Sequence, residues 1–114
     1  VALTFPFTPV LDRPLQNGAR VDGKRIVYDR ELAEGETAAS NLSTGFAGNA
    51  SDFHFIVENT KTGVGVEETG DQPITKIVFW SNPRTVAPEA YVHLTIAPGK
   101  TSRWSIRYRF FARD

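Results

Sequence analysis

The sequence predicts an all-β fold, an antiparallel β-sandwich, and three observations carry that prediction. Several short runs alternate apolar and polar residues with the period of two that a half-buried strand imposes. Glycine, proline and asparagine punctuate the chain between those runs. No stretch shows a clean apolar stripe at the 3.6-residue period, because the one segment of helix-like composition, residues 31–40, is broken by Gly35. A chain of 114 residues fits one domain, residues 1–114, and can bury roughly two-thirds of the surface it exposes when unfolded.

The elements follow in chain order. Val1, Leu3, Phe5 and Phe7 alternate with Ala2, Thr4, Pro6 and Thr8, which predicts a strand. Pro6 and Pro9 lack the N–H of a central ladder and place that strand at an edge or end it early. Residues 12–18 have turn chemistry, with Asn17 and Gly18 suited to positive φ, and residues 21–23 turn the chain again into a short strand over 24–30. Residues 31–40 read as a loop that introduces a strand, and the Ser-, Gly- and Asn-rich residues 41–51 as a surface loop. Residues 52–58 are a strand with Phe53, Phe55 and Val57 on one face and Asp52, His54, Ile56 and Glu58 on the other. A turn over 59–63 makes a hairpin with residues 64–69.

The near-continuous apolar run over 74–80 predicts a strand buried on both faces. A polar, proline-bracketed crossing then holds Glu89, beside Pro88 and Tyr91 and downstream of Trp80 and Arg84. A strand over 91–96 sets Val92, Leu94 and Ile96 on one face, and residues 97–100 turn tightly. Residues 101–111 are the last strand, with Trp104, Ile106, Tyr108 and Phe110 inward and Ser105, Arg107 and Arg109 outward.

Composition narrows the function. Thirteen basic residues balance thirteen acidic ones, so no net field draws in nucleic acid or an anionic membrane. Arg103, Arg107, Arg109 and Arg113 form the one local excess, and their alternation with apolar residues marks a solvated strand face. No apolar run approaches the ~18 residues of a membrane span, and no signal peptide is visible, so the expectation is a soluble chain, secreted or cytoplasmic. The absence of cysteine excludes disulfides and thiolate chemistry. An opening at Val1 without any methionine is expected of a processed protein or of a piece of a longer one. Asn41 and Asn49 stand in glycosylation tripeptides that matter only on a eukaryotic secretory route.

Candidate chemistry is then a matter of elimination. His54 and His93 with scattered carboxylates reproduce no recognised ligand spacing, so no metal and no cofactor is expected. There is no nucleophile elbow, and Gly63 and Gly65 lack the third glycine and the helix of a dinucleotide site. Carbohydrate binding fits the residue types better. An aromatic face meets the C–H side of a sugar while carboxylates, amides, Arg or His meet its hydroxyls; Trp80, Tyr91, Asn82, Arg84, Glu89, Asp52 and His54 supply both. Composition alone weighs towards the plainer alternative, in which Trp80 is core and the polar residues are a solvated loop.

A family resemblance adds to this. In order, Asp52-Phe-His-Phe55, Val64-Gly-Val-Glu67, Ile77-Val-Phe-Trp80, Ala87-Pro-Glu-Ala90, Ile96-Ala-Pro-Gly99 and the run from Trp104 to Phe110 resemble the C-terminal half of the aldose 1-epimerase (galactose mutarotase) family over residues 49–111. The resemblance implies a relationship to the galactose mutarotase-like supersandwich. It casts Glu89 as the general base on the anomeric hydroxyl and Asp52 as a binder of sugar hydroxyls. Mutarotation needs a proton taken from O1 while another is given to the ring oxygen, so base and acid must flank the sugar. The family's paired histidines from its N-terminal half have no counterpart here, and Ala87 and Ala90 stand where cysteine and proline are common. The expectations are therefore a sandwich that binds a small sugar or glycan, with a homodimer or a partner chain supplying the missing half. The alternatives are a non-catalytic binding or structural module, adhesin-like or accessory, and half of a larger enzyme.

Overall fold

In the computed structural model, which describes residues 1–113, the chain forms strands β1 (Ala2–Thr4), β2 (Ala19–Asp22), β3 (Arg25–Tyr28), β4 (Ala38–Leu42), β5 (His54–Glu58), β6 (Val64–Gly70), β7 (Ile74–Asn82), β8 (Thr85–Val92) and β9 (Ile106–Ala112). One 3₁₀ turn, Ala50–Asp52, precedes β5. The strands make a six-stranded sheet in the order β2-β3-β1-β5-β6-β9 and a three-stranded sheet in the order β4-β7-β8, and each of these neighbours pairs antiparallel. The all-β antiparallel sandwich read from the sequence is thus the architecture of the chain.

Alternation explains the core. Leu3, Phe5, Ile26, Phe53 and Phe55 from the large sheet side meet Leu42, Ile74, Ile77 and Phe79 from the small sheet, all at most 3% exposed. A polar tie crosses the two layers: Tyr28 on β3 donates to Ser81 Oγ on β7 at 2.7 Å, and Ser81 donates on to Ala38 O at 2.8 Å. Both Ser81 and Ala38 are buried, so the Ser81 hydroxyl and the Ala38 carbonyl must find partners inside the protein. Burial raises the Tyr28 phenol above its ordinary range, partly offset by the Ser81 hydrogen bond. Two glycine positions are set by geometry. Asn17 and Gly18 take φ of 59° and 86° in the turn before β2, and a Cβ on Gly70 would lie 2.5 Å from the Phe53 ring.

Several expectations need correction. The first strand ends early, at Thr4, but lies between β3 and β5 and not at an edge. Its prolines fall beyond the ladder, so they shorten it without excluding it from the interior. Residues 38–42 form β4, where part of a loop is expected. The sequence Ala-Ala-Ser-Asn-Leu has weak strand propensity, and pairing with β7 overrides it. Strand β7 is not buried on both faces: Ile77, Phe79 and Ser81 face the core, while Trp80 on the other face is 39% exposed. The hairpin turn sits at Pro83 and Arg84, so Glu89 is a mid-strand residue of β8 opposite Val78 and not part of a crossing. Pro88 is tolerated because β8 is an edge strand. The predicted strand over 91–96 stops at Val92.

The last strand keeps its predicted alternation but not its burial. Phe55, Glu68 and Tyr108 align across β5, β6 and β9, as do Val57, Val66 and Phe110, so Tyr108 and Phe110 lie on the core side of the large sheet. Among the described residues nothing covers them there: Ile106, Tyr108 and Phe110 are 39%, 56% and 79% exposed.

Glu68 sits on that same core side, and burial raises its carboxyl above the usual range. A folded-state pKa above the unfolded one favours the protonated acid. Its stabilising share is complete below the unfolded pKa, about 4.3, and is lost as pH rises through the folded value. Glu68→Gln is therefore expected to raise the urea midpoint at pH 7 and to leave it nearly unchanged at pH 3.5. An unchanged midpoint at pH 7 counts against the assignment.

Candidate functional site

The outer face of the three-stranded sheet gathers three of the sequence-predicted residues. Side chains alternate, so Lys76, Val78 and Trp80 of β7 share that face with Ala87, Glu89 and Tyr91 of β8 and with Ala39 and Asn41 of β4. The register orders them in rows. Ala39, Trp80 and Ala87 form one row, Asn41, Val78 and Glu89 the next, and Lys76 pairs with Tyr91 in the third.

Each row has a chemical consequence. Alanine on both sides of Trp80 leaves the indole without a wall, and it stays 39% exposed. Asn41 and Glu89 flank the middle row, both exposed, and offer an amide and a carboxylate at hydrogen-bond height above the sheet. Tyr91 is 49% exposed, and the Lys76 ammonium lies 5.1 Å from its ring centroid. The outer rows are separated by four residues of β7, about 14 Å at the ~3.4 Å rise of an antiparallel strand. Among the described residues Glu89 makes no ion pair and no side-chain hydrogen bond, so its carboxylate is available.

The other predicted residues lie elsewhere. Arg84 occupies the β7–β8 turn, where its N–H donates to Asn82 Oδ1 at 2.8 Å and its guanidinium reaches the Glu34 carboxylate at 3.2 Å. It lines an open cleft of about 710 Å³ at the end of the sandwich, together with Tyr28, Arg30, Glu58, Lys61 and Asn82. The charged groups there are largely taken up in ion pairs, Lys61 with Glu31 of the cleft at 2.7 Å and Arg30 with Glu36 beyond its lining at 2.7 Å. The fork of Arg30 and the Ala33 N–H hold the Glu36 carboxyl at about 2.

Asp52 is 7% exposed, and its Oδ2 accepts the N–H groups of Ala47 and Gly48 at 2.7 and 3.2 Å. That carboxylate is engaged in closing its own loop. His54 is on the outer face of the large sheet, on the far side of the sandwich from Glu89, with Nε2 2.7 Å from Glu67 Oε2. Arg109 donates to the other oxygen of Glu67 at 2.9 Å. Hydrogen bonds from His54 first and Arg109 second hold the Glu67 carboxyl below its ordinary range.

The structure therefore joins Trp80, Glu89 and Tyr91, sets Arg84 at the turn of the same hairpin, and keeps Asp52 and His54 apart from them. Sequence reasoning missed Asn41 and Lys76. Asn41 was hidden in a segment of loop-like composition, and Lys76 in a run dominated by its apolar neighbours; a strict period-two reading of residues 74–82 places Lys76 with Trp80. No group of three or more potential metal ligands occurs among the described residues. No protein-family model, no curated protein and no solved structure matches the chain.

Proposed function

We propose that the chain is a carbohydrate-binding β-sandwich whose outer three-stranded face stacks on an oligosaccharide, without catalysing a reaction on it. The observation that carries this reading is an exposed tryptophan between two alanines, with a free carboxylate and an exposed tyrosine on the same face. Aromatic rings take the apolar faces of pyranose rings, and the Asn41 amide and Glu89 carboxylate meet hydroxyls between them. A separation of about 14 Å between the Trp80 and Tyr91 rows exceeds one pyranose ring, so the fitting ligand is a chain of sugars and not a single aldose.

Glu89 acts here as a hydrogen-bond acceptor. As an anomeric base it would need an acid on the opposite side of the sugar. Of the two histidines, His54 lies on the other sheet beside Glu67, and His93 is 3.4 Å from Thr95 Oγ1 past the end of β8. Titrating ¹⁵N-labelled protein with soluble gluco-, xylo-, manno- and galacto-oligosaccharides tests the proposal. The Trp80 indole N–H and the amides of β7 and β8 are expected to shift with at least one of them, and no shift at millimolar ligand would refute binding on this face. In polarimetry of fresh α-aldoses, wild type and Glu89→Gln are expected to match buffer. Acceleration by wild type that the variant loses would restore the catalytic reading.

A further inference from the structure

Each sheet has two backbone edges, and three of those edges carry a guard. Residues 12–16 line β4: Asp12 N–H donates to Asn41 O at 2.9 Å, while the Gln16 amide donates to Ala39 O at 3.1 Å and accepts Ala39 N–H at 3.0 Å. Strand β8 contains Pro88, and β2 is only four residues long and carries charged Arg20 and Asp22. Such devices keep an edge from pairing with another chain. Strand β9 also carries charge, at Arg107 and Arg109, but it is seven residues long and contains no proline, and no strand among the described residues pairs with its outer side.

The backbone of β9 is oriented for a partner. Arg113 N–H donates to Gly63 O, and Ser105 O accepts from Asp71 N–H, so odd-numbered residues aim their polar groups at β6. By the alternation of an antiparallel ladder, Ile106, Tyr108, Phe110 and Ala112 aim theirs outward. The same residues carry the uncovered apolar side chains, with Phe110 at 79% exposure.

The area fits a second copy. The chain exposes 7144 Å², about 900 Å² more than the ~6200 Å² expected of a folded monomer of its mass. A standard interface removes about 800 Å² from each partner. The radius of gyration, 15.1 Å, likewise exceeds the ~13 Å of a fully packed chain of this length.

We infer that β9 is a homodimer interface: a second copy adds antiparallel along it, with the two-fold axis at Phe110. Symmetry requires the axis residue to face itself. An axis at Tyr108 sets Arg107 against the second copy's Arg109, and an axis at Arg109 sets that guanidinium against its own counterpart. With the axis at Phe110, the ring faces the second copy's Phe110, Tyr108 faces Ala112, and Arg109 faces Phe111. The Arg109 guanidinium already lies 5.5 Å from the Phe111 ring of its own chain. The remaining like-charge pair, Arg107 with Arg113, falls at the end of the ladder, where Glu58 holds Arg113 at 3.2 Å.

The chain has no cysteine, so single introduced thiols report the register. Phe110→Cys is expected to form a disulfide-linked dimer under mild oxidation, since facing residues of a hydrogen-bonded pair lie about 5.5 Å apart, within disulfide range. Tyr108→Cys is expected to stay monomeric on the same gel, its two thiols being four residues out of register. Light scattering at tens of micromolar should give twice the 12.6 kDa chain mass, halved by Phe110→Lys. A wild-type monomer, equal cross-linking at both positions, or a dimer that survives Phe110→Lys without cross-linking at residue 110 would each overturn the inference. The lysine variant keeps β6 pairing intact, and its far-ultraviolet circular dichroism, expected to match wild type, separates loss of the dimer from loss of the fold.

Discussion

Phe55→Ala is expected to lower the stability of this protein by about 3–5 kcal/mol, the range for emptying a core aromatic site. Phe55 has 0% exposure and stands inside a run of rings. Phe5 meets it edge-on at 5.7 Å and Phe53 lies at 5.4 Å; Phe5 continues to Phe7 at 5.4 Å, and Phe7 to Phe46 at 5.5 Å. Truncation removes two ring contacts as well as the transfer term. The site has little means to collapse, because β5 is hydrogen-bonded on both sides, to β1 and β6. A domain of this size has roughly 5–15 kcal/mol in total, so the variant should be near its limit. With an m-value of about 2 kcal/mol/M, the urea midpoint should fall by roughly 2 M. Val64→Ala, at a position 55% exposed, serves as the control and should stay within about 0.5 kcal/mol. A shift for Phe55→Ala no larger than for Val64→Ala would mean that this ring cluster is not the centre of the core.

What the sequence could disclose divides along a physical line. Period-two alternation is a local property, and it correctly paired Phe53 with Phe55 and Tyr108 with Phe110. Burial depends on what lies opposite, and the three-stranded sheet reaches over β5 but not over β9. For the same reason the apolar run in β7 reads as two-sided although no layer among the described residues covers its outer face. Pro88 misled in a different way. Proline usually punctuates, and only the edge position of β8, a tertiary fact, lets it sit mid-strand beside Glu89. Residue types gathered Trp80, Glu89 and Tyr91 into one wider set with Asn82, Arg84, Asp52 and His54. The separation of Asp52 and His54 from the first three was not legible, because residue types carry no information on which sheet a strand joins.

If the outer face of the small sheet binds oligosaccharide as proposed, Trp80→Ala is expected to weaken that binding by about 2 kcal/mol or more, roughly thirty-fold, the usual cost of truncating an anchoring tryptophan. Stability should change little, since the indole is 39% exposed and its lateral neighbours are alanines. Trp80→Tyr keeps a flat ring at the same row and should restore part of the affinity, which a loss caused by misfolding would not allow. Tyr91→Ala should cost less, because the Lys76 ammonium already occupies one side of that ring. Were the ligand instead held in the cleft at the sandwich end, Arg84→Ala would weaken binding and Trp80→Ala would not. The double variant then measures ligand length. The Trp80 and Tyr91 rows are about 14 Å apart, far enough for independent effects to add within about 0.5 kcal/mol. An oligosaccharide long enough to span both rows should therefore lose the sum of the two single costs, whereas a monosaccharide, able to touch only one ring, should respond to a single substitution and be indifferent to the other.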